Sequence, residues 1–137
     1  MNSITVKANI KAPLTMVWKC WTEPNHVQNW NFASNDWHCP TAENDFTIGG
    51  EFHYMMAAKD GSFSFDFWGK FVVIENEKLI ETMLGDGRKV SVLFESIGEE
   101  TMVTETFEPE DTNPIELQEQ GWQAILNNFK NYAEGLF

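Results

Sequence analysis

His53 is the histidine whose neighbours best suit acid–base chemistry. It lies between Phe52 and Tyr54 in a stretch with the pattern of a strand, so it points away from the face that those two aromatic side chains share. In the opposite register it would enter the interior beside Glu51 and Met55, where a histidine–carboxylate pair can act as a general base. The first register favours a solvated histidine. The second makes His53, Glu51 or Tyr54 the acid–base candidate of an enzyme.

A second cluster, Asp36, His38 and Cys39, contains metal-binding residue types, because imidazole nitrogen and thiolate sulfur both bind zinc. Adjacent residues on an extended chain point to opposite sides, however, and no second pair of Cys or His follows at ligand spacing. We therefore expect no metal site.

We also expect Cys20 and Cys39 to be reduced and buried rather than joined in a disulfide, because no secretion signal is evident.

Three glutamates, Glu81, Glu95 and Glu105, fall in the middle of stretches with the pattern of strands. Alternation with apolar neighbours, as in Ile80-Glu81-Thr82, predicts that they lie on the outer face of a sheet. We expect all three to be solvated and to need no functional explanation.

Common catalytic motifs are missing from the sequence. It contains no Gly-x-Ser-x-Gly elbow, no phosphate-binding glycine loop ending in Lys-Ser or Lys-Thr, no dinucleotide fingerprint and no paired-cysteine motif. Gly49-Gly50 follows Ile48 inside a strand pattern, and we interpret it as a bend rather than as an anion-binding loop. We assign no catalytic residue and expect no cofactor.

Aromatic residues are unusually frequent, with 11 Phe, 6 Trp and 2 Tyr in a chain of 137 residues. Such large side chains either fill a core or line a cavity for an apolar molecule, and composition does not decide between the two. The candidate ligand-binding residues are the aromatic and aliphatic side chains at predicted inward positions: Trp18, Trp21, Trp30, Phe52, Tyr54, Met56, Phe65, Phe67, Phe94, Trp122, Ile125, Leu126 and Phe129.

The charge of the chain argues against two classes of partner. Nine Lys and Arg against 21 Asp and Glu give a net charge of −12, which repels phosphate backbones and anionic lipid surfaces. No stretch approaches the roughly 20 apolar residues that span a bilayer, and the first ten residues lack the pattern of a signal peptide. We expect a cytoplasmic protein without nucleic-acid or membrane partners.

The first third of the chain predicts one strand, two short helices and a loop. Residues 3–10 alternate between apolar and polar side chains, as a half-buried strand does. Pro13 suits the first turn of a helix, Pro24 ends that helix, and residues 24–30 form a second short one. Residues 31–45 are polar and read as a loop with at most one short strand.

The middle of the chain predicts a meander of five strands linked by glycine-containing turns. Gly69 lies inside the second of these strands and predicts a bulge or a sharp bend, as a curved sheet requires. The five stretches are residues 46–58, 62–74, 78–84, 89–96 and 101–108.

The last predicted element is one long amphipathic helix over residues 114–137. Its apolar residues recur close to the helical period: Leu117, Trp122, Ile125, Leu126, Phe129, Ala133 and Leu136. Because the strands follow one another without intervening helices, the fold class is α+β. We predict a single domain over residues 1–137, in which a curved antiparallel sheet of about six strands wraps around the C-terminal helix.

Several motifs, taken in order, resemble the START-like helix-grip (SRPBCC) superfamily, in the branch related to the C-terminal domain of the activator of Hsp90 ATPase. Those motifs span nearly the whole chain: Ala12-Pro13, Val17-Trp18, Trp21-Thr22-Glu23-Pro24, Trp30, residues 45–52 (DFTIGGEF), Asp60-Gly61, Gly69-Lys70-Phe71 and Gly121-Trp122. The resemblance implies the same helix-grip architecture as the pattern of elements.

The resemblance leaves function open, because the superfamily includes lipid and hormone carriers, aromatic cyclases, a protein that intercepts a reactive antibiotic, and the co-chaperone domain. Our first hypothesis is a module that binds a small hydrophobic or aromatic molecule between the sheet and the C-terminal helix. The alternatives are a protein-interaction module like the co-chaperone domain, whose partner is unknown, and an enzyme of the cyclase or hydrolase kind.

Overall fold

A curled antiparallel sheet and one long helix dominate the computed structural model, which describes residues 3–136. Met1, Asn2 and Phe137, which the single-domain and last-helix predictions include, lie outside the described residues. Within them the strands are β1 (Ile4–Ile10), β2 (Trp37–His38), β3 (Ala42–Asn44), β4 (Glu51–Ala58), β5 (Ser64–Glu75), β6 (Leu79–Leu84), β7 (Lys89–Ile97) and β8 (Glu100–Phe107). The helices are α1 (Leu14–Thr22), α2 (Pro24–Val27) and α3 (Ile115–Leu136). The predicted α+β class is confirmed.

The strand order in the sheet is β1-β8-β7-β6-β5-β4-β2, with β3 also paired to β4. Strands β4 to β8 therefore form the predicted meander. The first strand joins the last one, with Ile4 opposite Phe107 and Ile10 opposite Thr101. Because β1 alternates strictly between buried and more exposed residues, its apolar face points to the same interior as that of β8.

The loop predicted over residues 31–45 contains two short strands rather than one. Both pair with β4, since Trp37 lies opposite Ala58 and Ala42 lies opposite Tyr54. With these strands the sheet has eight members among the described residues, against about six expected. Strands of two and three residues are too short to show a period in the sequence.

Gly69 lies in regular register, so the bulge predicted at this residue is wrong. It pairs with Phe52 on one side and Leu84 on the other, and the register of β5 shifts further along, between Phe71 and Val73. A Cβ atom at Gly69 would lie 2.5 Å from the carbonyl oxygen of Met83 and 3.0 Å from the Phe52 ring. Gly69 is therefore required because two neighbouring strands approach it closely.

Helix α3 packs against β1 and α1. Its side chains also bond to the edge of β1 that faces away from β8: Gln123 Nε2 donates to the carbonyl oxygen of Lys7 at 3.0 Å, and Lys130 Nζ donates to that of Asn9 at 2.6 Å. These bonds, one from each half of the helix, hold α3 along the first strand. Gln118, Trp122 and Ile125 in its first half face the strands at the centre of the sheet.

The interior beneath α1 and the second half of α3 is a filled core. Leu126, Phe129 and Ala133 are fully buried, and Phe129 packs edge-on against Trp30 with ring centroids 4.8 Å apart. Trp18 packs edge-on against Phe94 at 5.0 Å. The space between the first half of α3 and strands β4 to β7 is not filled in this way.

Candidate functional site

A cavity of about 370 Å³ lies between the sheet and the first half of α3. Nine of the predicted ligand-binding residues line it: Trp21, Trp30, Phe52, Tyr54, Met56, Phe65, Phe67, Trp122 and Ile125. The alternation along β4 explains part of this set, since Phe52, Tyr54 and Met56 share one face of the strand. The other four, Trp18, Phe94, Leu126 and Phe129, are buried in the filled core and are absent from the cavity wall.

Further lining residues lie outside the predicted ligand-binding set. The apolar ones are Phe46, Phe71, Ile80, Val90 and Val92, and the polar or charged ones are Thr22, Asn31, Thr82, Arg88, Glu105, Glu110, Asn113 and Gln118. The strand alternation could have indicated Ile80, Val90 and Val92, because each has an inward neighbour two positions away. The two residues of the linker before α3, Glu110 and Asn113, gave no such signal.

Glu105 is the most buried of the charged residues that line this apolar space. It lies between Val103 and Phe107 on the inward face of β8, opposite Val6 on β1 and Val92 on β7. Its side chain is only 8% exposed, and burial raises the pKa of its carboxyl to about 8. Among residues 3–136 no hydrogen bond or ion pair to this carboxyl is found. At neutral pH the group is therefore mostly an uncharged acid.

The predicted outward position of Glu105 is wrong, whereas Glu95 is exposed on the outer side of β7 and Glu81 alternates with buried Ile80 on β6. The decisive neighbours of a strand residue are those two positions away, because side chains alternate between faces. For Glu105 these are apolar, and its adjacent residues Thr104 and Thr106 occupy the outer face.

The end of the cavity at the head of α3 is polar and held by hydrogen bonds. Gln118 Nε2 donates to the carbonyl oxygens of Glu110 at 3.0 Å and Asn113 at 2.8 Å, and Gln118 Oε1 accepts from the Glu110 N–H at 2.9 Å. Arg88 Nη1 donates to the carbonyl oxygen of Glu108, where this linker begins, at 3.3 Å. These bonds fix the linker before α3 as an end wall of the cavity.

Two lining residues are exposed, and they indicate where the cavity meets solvent. Phe65 is 43% exposed and lies beside Trp37, with ring centroids 6.2 Å apart. Asn113 is exposed in the linker before α3. The aromatic pair formed by Phe65 on β5 and Trp37 on β2 gives an apolar approach, while the linker gives a polar one.

Tyr54 provides a neutral hydrogen-bonding group in the wall. Its hydroxyl oxygen accepts from Asn44 Nδ2 at 3.0 Å, and the same amide donates to the Thr22 carbonyl oxygen at 2.8 Å. Burial raises the pKa of Tyr54 to about 12. The phenol therefore stays protonated throughout the physiological range.

His53 lies on the outer face of the sheet, as the first of the two registers predicted. Its Nδ1 is 2.7 Å from Asp66 Oδ2 and its Nε2 is 2.9 Å from Glu51 Oε1, while its ring stacks on Trp68 with centroids 5.6 Å apart. The hydrogen bond to Asp66 and then that to Glu51 raise the pKa of His53. Because His53 and Glu51 point away from the cavity, they are not available to it as a base.

The residues of the metal hypothesis make ordinary structural contacts. Cys39 is buried, and its thiol donates to the Thr41 carbonyl oxygen at 3.4 Å. Burial raises the pKa of Cys39 to about 11, which opposes the thiolate form that binds metals. Within the described part of the chain no group of three or more His, Cys, Asp or Glu has the geometry for a metal ion. Cys20 is also buried and unbridged.

None of the helices among residues 3–136 is long and apolar enough to cross a bilayer.

Comparison with known proteins gives a family match over most of the chain. The family model described as activator of Hsp90 ATPase homolog 1-like protein matches residues 11–134. Comparison with curated proteins gave no match.

Solved structures resemble this chain over nearly its full length. The solution structure of an AHSA1-like protein from Aeromonas hydrophila is 41% identical, with a TM-score of 0.93 over 98% of this chain and 94% of the other. A solution structure from Cytophaga hutchinsonii is 51% identical, with a TM-score of 0.84 over 99% and 94%. A crystal structure from Chromobacterium violaceum, at 18% identity, has a TM-score of 0.87 over 98% and 99%, and this likeness concerns the fold alone.

Proposed function

This chain belongs to the family of activator of Hsp90 ATPase homolog 1-like proteins, and on that premise we propose that it is a binding module for a small hydrophobic or aromatic molecule. The binding site is the cavity between the sheet and the first half of α3. The family alone does not select this function, because one fold serves many functions. The observation that carries the proposal is a cavity with mainly aromatic and aliphatic walls. The side chains of so small a domain could have filled this space, but they leave it open.

The size and the walls of the cavity suit a small ligand. Its volume of about 370 Å³ lies near the lower end of the roughly 300–1,000 Å³ that is usual for small-molecule sites. Trp122 stacks on Phe107 with ring centroids 3.9 Å apart, and Trp21 pairs with Trp30 at 4.8 Å. Such rigid pairs present large apolar surfaces that lose little conformational freedom when a ligand covers them.

The direct test is thermal melting against a panel of hydrophobic and aromatic metabolites. A ligand at about 100 times its dissociation constant adds about 2.7 kcal/mol to the free energy of unfolding, which corresponds to a rise in Tm of roughly 10 °C for a domain of this size. A broad panel without any shift would contradict the proposal.

A pair of valine substitutions separates binding in the cavity from binding elsewhere. Val92→Phe places a ring in the cavity and should abolish the shift in Tm caused by any active compound. Val72→Phe makes the same chemical change at a residue that is 47% exposed on the outer face, and the shift should persist. If both variants lose the shift, or if both keep it, the ligand does not occupy the proposed cavity.

A further inference from the structure

The carboxyl of Glu105 is a polar group without a partner in an apolar part of the cavity wall. Its side chain is more than nine-tenths buried, and its neighbours on the two adjacent strands are Val6 and Val92. A buried carboxyl is unfavourable unless it is paired or hydrogen-bonded, and this one finds no such group among residues 3–136. The space in front of it is the ligand cavity itself.

We infer that Glu105 recognises a basic nitrogen, such as an amine or an amidine, carried by an otherwise apolar or aromatic ligand. The inference rests on the proposed function and names the chemical class of its ligand. The apolar part of the ligand lies against the aromatic wall, and its protonated nitrogen pairs with the Glu105 carboxylate inside the cavity.

The charges around the cavity favour a cation over an anion. Among the described lining residues Arg88 is the only permanent cation, and its guanidinium is engaged by Asp86. The remaining charged lining residues are Glu105 and Glu110, and the whole chain carries a net charge of −12. An acidic protein attracts cations over long distances, so the field of the whole molecule and the local carboxyl act in the same direction.

The aromatic wall also favours a cation. Trp21, Trp30 and Trp122 line the cavity together with Tyr54. The faces of such rings carry partial negative charge and attract ammonium groups, most strongly where water is excluded. A neutral ligand gains nothing from this electrostatic contact, whereas an amine gains from the rings and from the carboxylate.

Binding of a cation should release a proton from Glu105. The other titratable groups in the wall are Tyr54 on β4, Arg88 in the turn between β6 and β7, and Glu110 in the linker, while α3 contributes uncharged Gln118 and Trp122. Burial rather than any of these groups raises the pKa of Glu105 to about 8, so most of its carboxyls carry a proton at pH 7. The ammonium ligand keeps its own proton, and the Glu105 proton passes to the buffer as the ion pair forms.

Isothermal titration calorimetry with matched probes tests the inference. The probes are a series of arylalkylamines, from benzylamine to tryptamine and naphthylethylamine, each paired with the alcohol that replaces NH₃⁺ by OH. We expect the best amine to bind the wild-type protein about tenfold more tightly than its alcohol, since a charge-assisted hydrogen bond is stronger than a neutral one. Titrations in phosphate and in Tris, which differ in heat of ionisation, should show close to one proton released per amine at pH 7 and none per alcohol.

The variant Glu105→Gln should bind the amine no more tightly than the alcohol, because the ammonium group loses its carboxylate partner, and it should release no proton. Glu95→Gln removes the same charge from the exposed face of the neighbouring strand and should behave as the wild type. If alcohols bind and amines show neither the preference nor the proton release, the inference is overturned while the proposed function stands. If neither series binds, the inference is overturned, and the broad metabolite panel decides the proposed function separately.

Discussion

Replacing Glu105 by Gln should stabilise the protein without ligand, and the gain should increase with pH. The folded carboxyl has a pKa of about 8 and the unfolded one about 4.5, so the folded state binds more protons between these two values. Stability therefore falls as pH rises through this window, because ionisation of Glu105 favours the unfolded chain. Gln has a similar shape and does not ionise, so it removes this cost.

The size of the effect follows from the two pKa values. The pKa of Glu105 is about 4.5 in the unfolded state and about 8 in the folded state. Glu105→Gln should therefore raise the free energy of unfolding by on the order of 1 kcal/mol at pH 5, 3 kcal/mol at pH 7 and 5 kcal/mol at pH 9. The pKa of His53 is also raised in the folded protein, so the stabilisation that its protonated form provides is lost as pH rises. That contribution is the same in both proteins and cancels in their difference.

Urea denaturation of both proteins at a series of pH values measures this difference directly. Glu95→Gln, which removes an exposed carboxyl from β7, measures the effect of losing one surface charge and is subtracted. A difference between Glu105→Gln and wild type that stays constant from pH 5 to pH 9 would refute the reasoning. It would mean that the carboxyl ionises in the folded protein as easily as in the unfolded chain.

Other predictions concern the sheet, α3 and two titratable side chains. Gly69→Ala should lower the free energy of unfolding by about 1–3 kcal/mol, because its methyl group meets the neighbouring strand. Gly121→Ala should raise that free energy by about 1 kcal/mol, because open space surrounds this position on α3 and Ala is the better helix former. Both are measured by urea denaturation, and equal effects would contradict the contact argument. An NMR titration should give His53 a pKa above 6.5. The protonated imidazole stabilises the folded protein, so this stabilisation is complete below pH 6.5 and is lost as pH rises through the raised pKa. Asp66→Asn should lower the pKa of His53. A thiol reagent should label Cys39 at the rate of unfolding, since the thiol is buried and its pKa is about 11; rapid labelling of the native protein would argue against this burial.

The architecture could be predicted because its signals are local and repeated. Alternation over residues 3–10, and turns such as the one at Gly87, with φ of +90°, are visible in a few consecutive residues. The family motifs agreed with the order of elements that these local signals predicted. Strands β2 and β3 could not be predicted, because pairing with β4 rather than their own sequence makes them strands.

The site could be predicted only in part, because helical and strand periods identify inward residues without telling where the interior is empty. Trp122 and Leu126 lie one helical turn apart on α3, yet the first lines the cavity and the second is in the filled core. Which of them meets empty space depends on how far α3 stands from the sheet, a distance that no local pattern encodes. Glu105 was misplaced for a different reason, since its adjacent residues were read instead of those two positions away.

The bonds from α3 to β1 have a consequence for association between molecules. The outer edge of β1 would otherwise present unpaired carbonyl groups, the kind of edge at which a strand from another chain can add. Gln123 and Lys130 already occupy the carbonyl oxygens of Lys7 and Asn9. Lateral growth of the sheet at β1 would first have to displace α3. The same helix that covers the cavity therefore also protects the protein from edge-to-edge aggregation at its first strand.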